Sequence, residues 1–175
     1  MLRFVLPEEE NRSDVLAFYE EMERNGDACI GMRGFRDYSR WLTGMRNRHT
    51  GKNLPEGYVR EDFYLCYDAG RLIGVFSLKF ELTEYVLNYR GHIGYAVRPS
   101  LRRHGLASQM LRQGLELARG FGLESVLCVC DEDNLASEKV ILKNGGVLEN
   151  TRFDLEENVR VRRYWIQLNG VPAVE

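Results

Sequence analysis

The chain has 175 residues, 44% hydrophobic and 29% charged, with 24 basic against 26 acidic side chains and a formal net charge of −2. This length supports one domain with a real core, and the composition excludes a disordered chain. The near-neutral balance excludes a global pull toward nucleic acid or an anionic membrane, and no apolar run has the length of a transmembrane helix.

Leu2–Leu6 reads as a first strand, stopped by Pro7. Ser13 is an N-cap for a helix running to Asn25, with Gly26 as its stop and Val15, Leu16, Phe18, Tyr19 and Met22 on its apolar face. A second helix is predicted from Asp37 to Arg46, and the polar stretch His49–Glu56 reads as a loop. Phe63–Tyr67 and Leu72–Phe80 flank a turn at Asp68–Arg71, a hairpin signal. Glu81–Arg90 fits either a loop or a short helical turn. His92–Val97 is a strand ended by Arg98-Pro99, and Ser100–Gly120 reads as a long helix. Glu124–Cys130 is an apolar strand, Asn134–Asn144 a helix stopped by Gly145-Gly146, and Val147–Glu149 and Arg160–Ile166 the last strands. The order describes a mixed α/β (α+β) domain over residues 1–168, with a loose tail at 169–175 and a β-α-β unit from His92 to Cys130.

The N-terminus turns acidic after six residues and lacks the basic start and long apolar stretch of a signal peptide, so a cytoplasmic location is expected. Cys29, Cys66, Cys128 and Cys130 contain no C-x-x-C pair and have no histidine nearby. They read as buried small hydrophobes in a reducing cell, with no metal centre.

The chemistry concentrates where the strand ending at Val97 meets the following helix. Gly105 and Ala107 let a ligand approach the backbone, and a helix N-terminus offers free N–H groups and the positive end of its dipole. Arg102 and Arg103 add full charge, so the turn suits a diphosphate-bearing ligand. It is neither G-x-G-x-x-G nor a P-loop, which disfavours a dinucleotide or a nucleoside triphosphate.

Arg102-x-x-Gly105-x-Ala107 after Val97-Arg98-Pro99 resembles the Q/R-x-x-G-x-G/A signature of the GNAT superfamily of acetyl-CoA-dependent N-acetyltransferases. Asn134-Leu135-Ala136-Ser137 and Lys143-Asn144-Gly145-Gly146 resemble that family's downstream Asn and its Lys-x-Gly-Phe, with Gly146 where Phe is common. The chain is also similar to a bacterial branch of predicted acetyltransferases sharing a Gly-His-Ile-Gly-Tyr strand and an Arg-Arg-Tyr-Trp ending. The resemblance implies a central mixed, mostly antiparallel sheet with splayed middle strands and flanking helices. It also implies acetyl-CoA as co-substrate. Backbone groups of Tyr95, Ala96 and Val97 would hold the pantetheine arm, and residues Arg102, Arg103, His104, Gly105, Leu106 and Ala107, with Ser108, the pyrophosphate. Asn134 would contact the pantetheine, and Ser137 the thiol end.

In the family a Tyr seven residues beyond the Asn often protonates the leaving thiolate; here that position is Ile141, which cannot. Ser137, Tyr164 and Tyr95 are the substitutes. Glu81, Glu84 and His92 are the candidate bases. The expected activity is acetyl transfer to a primary amine of a small molecule or peptide. A non-catalytic acyl-CoA sensor on the same fold is the alternative, motivated by Ile141, and transfer of a longer acyl chain is a third reading. The acceptor itself is not legible, and exposed C-terminal strands suggest a homodimer.

Overall fold

The computed structural model describes residues 2–33, 35 and 37–168. β1 (Arg3–Val5) leads through a 3-10 turn at Glu9–Asn11 into α1 (Arg12–Arg24). The N-cap predicted at Ser13 falls inside this helix. Asn11 does the local work instead, its Oδ1 accepting the Glu8 N–H at 2.9 Å to begin the turn one step earlier. α2 (Tyr38–Thr50) is capped by Asp37, which accepts the Arg40 N–H at 2.7 Å, and ends at Gly51 with φ of 70°. It runs four residues past the predicted end at Arg46. The apolar periodicity stops there, but Arg48 and His49 reach Glu61 and Asp62 at 3.0 and 2.7 Å and carry the helix on.

β2 (Glu61–Asp68) and β3 (Arg71–Lys79) form the predicted hairpin. Ala69 and Gly70 both take positive φ, 44° and 80°, as a two-residue turn between twisted strands demands. The ambiguous 81–90 segment contains a π-helical turn at Val86–Arg90, closed by the Gly91 N–H on the Val86 carbonyl at 2.7 Å. β4 (Ile93–Val97) follows, then a 3-10 turn at Pro99–Leu101, and α3 (Leu106–Gly120). The long helix predicted from Ser100 therefore starts six residues late. Arg103 and Gly105 hold φ of 66° and 77°, which no right-handed helix passes through. β5 (Ser125–Asp131), α4 (Leu135–Lys143), β6 (Val147–Asp154) and β7 (Val159–Gln167) complete the order. β6 extends well beyond Glu149 because polar Asn150, Thr151 and Arg152 pair with β7, a contact no local pattern shows. The tail from 169 lies outside the described residues.

The sheet order is β1-β2-β3-β4-β5-β7-β6, with β4 and β5 its one parallel pair. α1 and α2 cover one face, burying Val15, Phe18, Trp41 and Met45 against Phe63, Leu65 and Val75. α3 and α4 cover the other, burying Met110, Leu111 and Ile141 against Phe76, Ile93, Cys128 and Tyr164. Cys66, Cys128 and Cys130 lie in this second core, and the cysteines are free thiols. Burial pushes the Cys128 thiol up to about 12, so it stays protonated and inert.

α3 rides close on the sheet because Gly114 has no side chain. A Cβ there would meet the Phe76 ring at 2.1 Å. Gly114→Ala is expected to lower stability by about 2 kcal/mol despite the better helix propensity, since overpacking outweighs it. A urea titration of the variant checks this, and a midpoint at or above wild type would show that the helix can lift without cost.

Candidate active site

β4 and β5 touch only at their start. Ile93 pairs with Cys128, the His92 N–H meets the Leu127 carbonyl at 2.8 Å, and no further rung follows. On the other side β4 is fully paired with β3. Lys79 N–H bonds to the His92 carbonyl and Arg98 N–H to the Ile73 carbonyl, each at 2.8 Å. Peptide direction alternates along a strand, so Gly94 and Ala96 turn theirs to β3 while Tyr95 and Val97 turn theirs into the gap. The splay thus presents an edge of two residues that no neighbouring strand pairs, a template for an amide-bearing chain. Ala96, named with its neighbours in the sequence reading, faces away from this slot with its backbone.

The slot opens onto the turn before α3. The first intrahelical bond runs from the Gln109 N–H to the Gly105 carbonyl at 3.1 Å, and the N–H groups of residues 103 to 108 have no acceptor among the described residues. Left-handed Arg103 and Gly105 fold these amides into a concave nest. An anion lodged there would satisfy orphan donors at the positive end of a 15-residue helix. The side chains divide differently from their spacing. Arg102 turns inward, Nε on the Val97 carbonyl at 3.1 Å and Nη2 on Asp27 at 2.7 Å, and its own N–H bonds to Pro99. Arg103 is exposed and has no ion pair among the described residues. The His104 imidazole meets the Leu101 carbonyl at 3.3 Å, and the buried Ser108 hydroxyl accepts from Asn144 at 3.1 Å, leaving Ser108 its N–H for the nest.

Across the slot stands the first turn of α4. Asn134 caps it, Oδ1 accepting the Ser137 N–H at 3.0 Å. Two tyrosines reach this turn from either side of β5. The Tyr95 hydroxyl from β4 lies 2.8 Å from Ser137 Oγ. The Tyr164 hydroxyl from β7 donates to Glu138 at 2.6 Å, and Glu138 also takes Arg162 at 2.8 Å. Burial pushes the Tyr95 phenol above its ordinary value and that of Tyr164 up to about 12, so both are protonated at neutral pH. Ile141 is buried, and its Cγ2 would lie 2.4 Å from a Cβ at Gly146. The two departures from the family pattern, Ile141 and Gly146, therefore fit each other.

The candidate bases fare unequally. His92 Nδ1 accepts the Leu127 N–H at 2.9 Å, and its buried ring stands edge-on to Trp165. Burial, reinforced by Lys79, lowers its pKa to about 4. A neutral imidazole accepting through Nδ1 carries its proton on Nε2 and has no lone pair left for a substrate. The geometry therefore makes His92 a strut between β4 and β5 and corrects the reading of it as a base. A folded-state pKa depressed from 6.5 to about 4 contributes stability present above pH 6.5 and lost as pH falls toward 4. Over that window the loss is expected to reach roughly 3 kcal/mol. His92→Gln should flatten the pH dependence of the unfolding free energy between pH 6.5 and 4, and an unchanged slope would exclude this role. Glu81 and Glu84 are exposed and make no side-chain hydrogen bond or ion pair among the described residues. Glu81 follows Phe80, which meets Phe121 edge to face at the far end of α3 from the nest.

Spacing along the chain gave no sign of a network of charged side chains on the other face of the sheet. Arg33 forks onto Glu157 with two bonds of 2.8 Å, and Arg90 joins Glu157 at 3.1 Å and the Tyr85 hydroxyl at 2.7 Å. Tyr85 in turn donates to the fully buried Asp154 at 3.0 Å. This ties the α1–α2 connection, the π-turn and the β6–β7 loop together on the face opposite α3. Its partners lie 124 and 67 residues apart in sequence, so no local signal could reveal it.

Comparison with known proteins bears on this geometry. The family model described as Acetyltransferase (GNAT) family matches residues 32–145. No curated protein matches the sequence. Among solved structures, RimL, a ribosomal-protein alpha-N-acetyltransferase in complex with coenzyme A, is similar with a TM-score of 0.74 at 19% identity, covering 97% of this chain and 96% of its own. The microcin self-immunity acetyltransferase MccE, in complex with acetyl-CoA and AMP, has a TM-score of 0.71 at 14% identity, with 95% and 92% covered. A spermidine N-acetyltransferase SpeG chimera from Vibrio cholerae and hSSAT has a TM-score of 0.67 at 17% identity, with 95% of each chain covered. At such identities the structural likeness speaks for the fold. The sequence match spans well over half the chain and includes the nest and the α4 cap. The chain belongs to the acetyltransferase (GNAT) family and is an acyltransferase.

Proposed function

We propose that the protein transfers the acetyl group of acetyl-CoA to a primary amine of a small molecule or peptide. The observation carrying this is the edge of Tyr95 and Val97 that no neighbouring strand pairs, running from the amide nest of residues 103–108 to the Tyr95–Ser137 hydroxyl pair. The pyrophosphate sits in the nest, with Arg103 adding charge. The pantetheine amides pair with the Tyr95 and Val97 backbone, and the Asn134 side-chain amide meets them from α4. The thioester then lies where β4 and β5 converge. A neutral amine attacks its carbonyl, and the C–S bond breaks as the C–N bond forms. The attacking nitrogen, cationic once the C–N bond forms, sheds a proton; the departing thiolate takes one from Tyr95, which recovers a proton from that nitrogen or from solvent through Ser137. Tyr164 is a weaker candidate, because its proton is already engaged by the Glu138 carboxylate.

The ammonium loses its proton to solvent before attack, since His92 has no lone pair to offer and Glu81 and Glu84 are exposed. The acidic limb of kcat/KM should therefore follow the acceptor's own ionisation. The sensor alternative was motivated by the missing hydroxyl at 141; the Tyr95–Ser137 pair supplies one on the same slot and favours catalysis. The free cysteines fit a cytoplasmic setting, and the exposed edge strand β6, with Val147, Leu148 and Phe153 bare, offers the surface for a homodimer. Incubation with acetyl-CoA and a broad panel of primary amines, following free CoA thiol, tests the proposal. Release above background with at least one amine is expected, and none across the panel would overturn it.

A further inference from the structure

Val97 ends the splayed edge of β4, and its carbonyl points into the gap where β5 no longer reaches. A strand-end carbonyl without a partner is a liability at this depth. Arg102 reaches back five residues and donates its Nε to that oxygen at 3.1 Å. Its Nη2 extends to Asp27 at 2.7 Å and to Met22 Sδ at 3.7 Å. Asp27 lies in the α1–α2 connection and is itself held by the Asn25 side-chain amide at 2.7 Å. The guanidinium beside it holds the Asp27 carboxyl below its ordinary range although burial opposes this, so the pair is ionised at neutral pH.

We infer that Asp27 is a positioning residue for acetyl-CoA, acting through Arg102 to fix the turn that carries the amide nest. This rests on the reading of that nest as the pyrophosphate site. Three consequences distinguish it from simple cohesion. The Arg102 charge is spent on Asp27, so Arg103 supplies the cation felt by the phosphates. The Val97 carbonyl is taken, so the pantetheine finds only the Val97 N–H and the two Tyr95 groups. And the α1–α2 connection, tied at its other end by Arg33 to Glu157 at 2.8 Å, is linked directly to the cofactor turn.

The test is calorimetric titration with CoA of wild type, Asp27→Asn, Arg102→Gln and the double variant. Asp27→Asn keeps the shape and the bond to Asn25 but removes the charge. It is expected to weaken CoA about fivefold, the scale of a partly exposed ion pair. The double variant should bind no more weakly than Arg102→Gln alone, because Asp27 acts only through Arg102. Unchanged affinity in Asp27→Asn, or losses that simply add in the double variant, would overturn the inference. Failure of the wild-type protein to bind CoA would instead overturn the acetyltransferase reading, and this inference with it.

Discussion

Gly105→Asp is expected to abolish CoA binding while the protein remains folded. Gly105 is the N-cap of α3 at φ of 77°, and a Cβ there meets nothing within 4 Å. Aspartate tolerates the left-handed region better than most residues, at a cost of about 1 kcal/mol. A carboxylate at a helix N-terminus recovers part of that through capping and the helix dipole. The same carboxylate then competes for the amide N–H groups of the nest and repels the pyrophosphate. A loss beyond a hundredfold, about 2.7 kcal/mol, is the expected scale. Titration with CoA and a thermal melt measure the two halves separately. Unchanged affinity would mean the phosphates bind elsewhere, whereas a collapsed melt would mean the turn is structural first.

Tyr95→Phe is expected to lower kcat about a hundredfold, the lower end of what general acid catalysis contributes. The acetyl-CoA KM should stay within about twofold, because the backbone of residue 95 still pairs with the pantetheine. The phenyl ring keeps the packing, so the hydroxyl alone is removed. Ser137→Ala should cost less, since it removes the relay and leaves the phenol. Tyr164→Phe should affect stability more than turnover, as it strips the buried hydroxyl from Glu138. Equal kcat values for wild type and Tyr95→Phe would remove the acid from this mechanism.

Much of the fold was legible because it is written locally. The Asp68–Arg71 turn and the Gly145-Gly146 stop each declare themselves within a few residues. The turn before α3 stood out in the sequence because Gly105 and Ala107 follow a strand. What escaped was decided by long-range partners. Arg102 and Arg103 look equivalent as neighbours, yet Asp27, 75 positions upstream, takes one and leaves the other. His92 looks like a base until the Leu127 N–H takes its lone pair. The late start of α3 depended on left-handed Arg103, a conformation non-glycine residues seldom adopt and sequence seldom announces. Ile141 left three substitute acids open in the sequence, and only the fold shows that the Tyr95 hydroxyl reaches Ser137 on the first turn of α4 from a distant strand.

The central claim is that the β4–β5 splay holds the cofactor with its thioester at the tyrosine-bearing end. The most direct measurement is a crystal structure with CoA bound. The expected result has the pyrophosphate against the N–H groups of residues 103–108, the pantetheine paired with the Tyr95 backbone, and the sulfur within hydrogen-bond reach of the Tyr95 hydroxyl. A pyrophosphate seated away from the nest, or a sulfur facing α3 with Tyr95 out of reach, would contradict it.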